Sequence, residues 1–127
     1  MRLAFVLAVA CSAPATSTPL AVPVLPDVPF AMLDRDQRAQ FMEQRVVPVM
    51  APLFRAHDPA RHAAFGCKTC HGDSRDHAMP NAALPRLGEN NDPVDVEWMT
   101  TTIKPAMAKL LDDPALDCLR CHVRDPQ

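Results

Sequence analysis

The sequence predicts a mainly α fold: a small domain built of two helix–loop–C-x-x-C-H units with long loops. Three observations carry that expectation. Glycine occurs three times in 127 residues and tyrosine not at all, and β-branched alternation is weak, so strands have little to build on. Apolar residues recur at helical spacing in two stretches, Phe41, Met42, Val46, Val49, Met50, Leu53 and then Val96, Met99, Ile103, Met107, Leu110, each marking one helix face. A C-x-x-C-H pentapeptide closes each half of the chain, at residues 67–71 and 118–122.

Taken in order, Met1-Arg2 and the apolar run 3–10 read as an export signal over residues 1–11, too short to span a bilayer. Ala8-Val9-Ala10 fits the small-residue rule for secretory cleavage. Cys11 directly after it resembles the lipidated cysteine of bacterial lipoproteins, although Ala8 stands where leucine is usual. Four of the five cysteines belong to the two motifs, and lipidation gives Cys11 a role in an exported chain. The expected location is periplasmic, with a membrane anchor through Cys11.

Residues 12–33 are expected to form a tether. Pro14, Pro19, Pro23, Pro26 and Pro29 block helix formation and favour extended chain. The apolar content of its later half (Val22, Val24, Leu25, Val28, Phe30) supports the alternative of an arm packed along the domain. Residues 34–127 form the expected single domain, small enough to need a staple or cofactor to complete its core.

The first helix is expected to start at Asp34, an N-cap with Gln37 at the capping-box position, and Pro48 and Pro52 to kink or shorten its end. The second starts at Asp92, with Pro93 at the favoured first position and Asp95 and Glu97 near the positive end of its dipole. Pro105 should kink it. Between them, residues 72–91 hold Pro80, Pro85, Gly88 and a polar run, and read as loop.

The two pentapeptides carry the chemistry. C-x-x-C-H is the attachment pattern of c-type haem. Two thiols three residues apart fit one turn of backbone and reach the two vinyl groups of one porphyrin. The adjoining imidazole then meets the iron. From the composition, chance matches are expected on the order of 10⁻² per chain, so a pair is not accidental. The sequence therefore implies two covalent haem c groups, held by Cys67, Cys70, Cys118 and Cys121, with His71 and His122 as iron ligands. An all-thiolate zinc site uses the same four cysteines but leaves both histidines unexplained. A thiol–disulfide pair wants a βαβ setting that is absent from the pattern.

The halves also repeat. Residues 47–54 (VPVMAPLF) align with 104–111 (KPAMAKLL), and Asp58-Pro59-Ala60 with Asp113-Pro114-Ala115. One structural unit used twice is the natural reading. It places Met50 and Met107 equivalently, one helix upstream of each motif, as candidate distal thioether ligands that raise the reduction potential. A methionine on an apolar helix face is also ordinary core material. Met79 and His77 are alternative axial ligands at the first haem, with His57 and His62 further imidazoles. Met99 is the alternative at the second. Met79-Pro80 is similar to the ligand loop of single-haem cytochromes c.

A helix bearing a methionine, a turn and then C-x-x-C-H, repeated over about residues 38–122, resembles the haem-binding unit of the tetrahaem cytochrome subunit of bacterial photosynthetic reaction centres. The resemblance implies the helix methionine as distal ligand and agrees with a lipoprotein. This chain differs in having two units and a long middle loop, so the ligand logic carries over and the partner does not.

A six-coordinate iron leaves no open site for substrate, so the expectation is an electron carrier and not an enzyme. A haem enzyme or gas sensor with one open position, using the loop around Arg75 and His77, is the alternative. The formal charge of −2 becomes more negative when a leader with Arg2 is removed. Such a surface suits basic redox partner proteins and excludes a nucleic-acid role.

Overall fold

The computed structural model of the chain describes residues 24–88 and 90–126. The expected signal, Cys11 and the first part of the tether lie outside the described residues. Among those described, the regular elements are helices, with one isolated parallel bridge between Leu87 and Arg124. The molecule is mainly α.

Each half is one helix interrupted by a wide turn. In the first, α1 (Arg35–Phe41) runs into a π turn (Met42–Val46) and then α2 (Val47–His57). In the second, α4 (Pro93–Trp98) runs into a π turn (Met99–Ile103) and then α5 (Lys104–Leu111). A short α3 (Cys67–His71) carries the first motif, and a 3-10 turn (Cys118–Arg120) opens the second.

The starts of both helices follow from their caps. Asp34 Oδ1 accepts from the Gln37 N–H at 2.9 Å, and Gln37 Oε1 accepts from the Asp34 N–H at 3.0 Å, a complete capping box. Asp92 Oδ1 accepts from the Val94 N–H at 2.9 Å, with Pro93 filling a position that needs no donor.

Of the two effects expected of Pro48 and Pro52, a kink or a shortened end, shortening does not occur. Pro48 and Pro105 each stand second in the helix after a π turn, and α2 continues to His57 with Pro52 inside it. A proline lacks an N–H, and its ring crowds the carbonyl four residues back. The π turn widens the coil just ahead of the ring. Val47 N–H bonds Met42 O and Lys104 N–H bonds Met99 O, each five residues back. The matching turns make the two halves alike in structure as well as in sequence.

The core lies between the two helix pairs. Leu25, Leu33, Phe41, Val46, Met50, Phe54 and Ile103 are buried together, and Trp98, Met99, Ala106, Met107, Leu110 and Leu111 pack on them. Residues 24–33 pack along the domain, with Leu25 and Leu33 in the core and the Phe30 ring 5.2 Å from Phe41. The packed unit thus begins ahead of Asp34.

At one end of the core the imidazole of His57, on the last residue of α2, stacks on Trp98 at 3.9 Å with planes 3° apart. Its Nε2 lies 2.7 Å from Asp95 Oδ1, and Arg61 Nη1 donates to Asp95 Oδ2 at 3.1 Å. Phe54 meets Trp98 edge-on at 4.9 Å. This latch ties the end of α2 to α4.

The middle loop binds to the chain's end. Leu87 N–H donates to Val123 O at 2.9 Å, and Asp125 N–H to Leu87 O at 3.1 Å. Gly88 lies so close to the Asp125 carboxylate that a Cβ there would overlap it.

Candidate functional site

The C-x-x-C-H segments each form a helical turn, an α turn in α3 and a 3-10 turn at Cys118–Arg120, and each is tied to the residue before it in its own way. Gly66 N–H donates to Thr69 Oγ1 at 3.1 Å and Gly66 O accepts from Thr69 N–H at 2.9 Å. Asp117 Oδ1 accepts from the Arg120 N–H at 3.0 Å, and His122 N–H closes on Cys118 O at 2.9 Å. One turn brings thiols three residues apart onto one side. The exposure pattern repeats too. Cys67 and Cys118 are exposed, Cys70 and Cys121 are half-buried, and all four are free thiols.

The Asp-Pro-Ala sequences that precede the motifs are turns in both halves. Asp58 Oδ1 accepts from the Arg61 N–H at 2.9 Å, and Asp113 Oδ1 from the Ala115 N–H at 3.2 Å. Such aspartate turns reverse the chain after each helix.

The histidines are held differently. His122 Nδ1 donates to the carbonyl oxygen of Pro85 at 2.8 Å. A carbonyl only accepts, so Nδ1 carries a hydrogen, and in the neutral imidazole Nε2 then keeps its lone pair, the arrangement of a metal-ligating histidine. His71 Nδ1 is buried without a hydrogen-bond partner, and burial, with His77 nearby, lowers the pKa of the imidazole. The ring of His77 stands edge-on to it at 5.2 Å.

Burial pushes the Cys70 thiol up to about 11, with the neighbouring Cys121 and Cys67 adding to the effect. Burial raises Cys121 as well. Among the described residues the four thiols do not converge into one group able to hold a metal ion.

The remaining candidates divide between core and loop. Met50 is the most buried large side chain, at 1 % exposure. Met107 and Met99 are half-buried on the same apolar cluster. Met50 and Met107 each occupy the fourth position of the helix that follows a π turn. Met79 is half-buried in the middle loop, in a cis peptide bond to Pro80, and His77 is exposed with φ +53°. His57 is engaged by Asp95 and Trp98, and His62 packs edge-on to Phe54 at 5.0 Å.

The middle loop brings the two motifs together. Asn81 Nδ2 donates to Cys70 O at 2.9 Å, and Asn81 N–H donates to Cys121 O at 2.9 Å. Pro85 reaches His122 from the same loop. Sequence reasoning missed Asn81 and Pro85, because a backbone carbonyl or a loop amide carries no pattern that marks its partner. Comparisons with protein-family models, with curated proteins and with solved structures found no match for this chain.

Proposed function

We propose that this protein is a small dihaem c-type cytochrome that transfers electrons outside the cytoplasm. Cys67 and Cys70 hold one porphyrin by thioether bonds, and Cys118 and Cys121 the other. His71 and His122 ligate the irons. Met50 and Met107 are assigned as the opposing thioether ligands because they share one register in the two halves. Each haem, when bound, supplies a one-electron iron couple.

The observation that carries the reading is His122 in the second motif turn, its Nδ1 committed to the Pro85 carbonyl and its Nε2 left for a metal. Four free thiols, two in each motif, suit the same chemistry. Redox proteins with basic docking faces are the proposed partners. An anchor through Cys11 is proposed to keep the domain at a membrane.

The second reading is a haem enzyme or gas sensor with one open axial position. It would use the exposed middle loop around Arg75 and His77 as its polar pocket. Carbon monoxide binding to the reduced protein separates the two. The carrier reading expects none, and fast stoichiometric binding at one haem would replace it with the sensor or enzyme.

A further inference from the structure

Asn81 has four backbone and side-chain polar groups, and all are engaged. Its Nδ2 donates to Cys70 O at 2.9 Å, and its Oδ1 accepts from the Ala83 N–H at 2.9 Å. Its N–H donates to Cys121 O at 2.9 Å, and its carbonyl accepts from the Leu84 N–H at 3.1 Å. Two of these bonds end on the inner cysteines of opposite motifs. The other two lock the residue into a turn of its own, so its amide plane cannot swing away. Gly72, just past the first motif, closes against the same amide, where a Cβ would stand 3.4 Å from Nδ2.

We infer that Asn81 is a positioning residue that clamps the two C-x-x-C-H segments side by side and so sets the spacing and relative tilt of the two redox centres. The inference rests on the dihaem reading. The chemistry selects asparagine. Aspartate has no donor for the Cys70 carbonyl, and alanine keeps only the backbone bonds. From one motif backbone to the other the link is two hydrogen bonds and the Asn81 skeleton, which also offers a path for electronic coupling between the halves.

The test compares full-length matured protein with Asn81→Asp and Asn81→Ala, using Asp34→Ala as a variant that loses a helix cap bonded to neither motif. The readouts are the spin–spin interaction between the ferric centres by electron paramagnetic resonance and the separation of the two midpoint potentials. Both Asn81 variants are expected to keep two haems, lose spin–spin interaction and change the separation. Asp34→Ala is expected to lower Tm and change neither.

A second measurement needs no haem. Chain made without haem attachment, with Cys11, Cys67 and Cys118 replaced by serine, is treated with a short bis-maleimide. Cross-linking of Cys70 to Cys121 is expected, and Asn81→Ala should lower its yield about fivefold, the effect of one net hydrogen bond. Haem-bearing protein with unchanged coupling and unchanged cross-linking overturns the clamp and leaves the dihaem reading standing. Colourless protein whose cross-link is lost on Asn81→Ala retains the clamp and removes the dihaem reading.

Discussion

His122 donates its Nδ1 hydrogen to the carbonyl of Pro85, 2.8 Å away in the middle loop. The bond commits one ring nitrogen to the protein and leaves the other for a metal. Each motif is expected to act as a separate anchor. The double variant Cys118→Ala/Cys121→Ala should therefore show one covalent haem by intact mass where the unaltered protein shows two. Loss of both would mean that the motifs form one shared site.

The helix methionines have two roles to separate, core and ligand. Met50 is 1 % exposed, so Met50→Ala would open a cavity and cost about 2–5 kcal/mol whatever the sulfur does. Met50→Leu conserves volume and should cost under about 1.5 kcal/mol. With Met50→Leu and Met107→Leu, each variant is expected to lose the weak sulfur–iron band of one haem while Tm changes little. A band that survives both variants moves the ligand role to Met79 or Met99.

Gly72 ends α3 with φ +63° and ψ −148°, a conformation essentially confined to glycine, and its Cα faces the Asn81 amide. Gly72→Ala should destabilise the protein by about 1–3 kcal/mol, read as the urea midpoint. An unchanged midpoint would show that this turn relaxes freely.

The latch at Asp95 gives a pH dependence of defined sign. His57 first, and then Arg61, hold the Asp95 carboxyl below the ordinary carboxylate range. A carboxylate whose folded pKa is lowered stabilises the fold above its unfolded value, about 3.9, and loses that contribution as pH falls through the folded value. Asp95 is 39 % exposed, so the effect is screened and small. The stability gap between the unaltered protein and Asp95→Asn should close as pH falls below about 4. A gap that persists at pH 2 would show that the charge of Asp95 does not carry the latch.

Much of the helical framework is legible in the sequence because its signals are local. Asp34 with Gln37, and Asp92 with Pro93, announce helix starts through side chains that cap their own backbone. The π turns are not legible in the same way. Pro48 and Pro105 read as kinks in helices that continue past them, and nothing in the pattern marks the five-residue-back bonds just ahead of each ring. The links between distant segments are hidden for a different reason. Asn81 to Cys121, Pro85 to His122 and His57 to Asp95 join residues far apart in sequence, through bonds that leave no periodic trace.

The most direct measurement is the intact mass and the reduced and oxidised absorption spectra of the purified protein, taken after acid–acetone extraction. Cells competent to mature c-type cytochromes should yield a red protein that keeps its colour and carries two covalent haems. A colourless protein with its four motif thiols free or bound to zinc would contradict the dihaem reading.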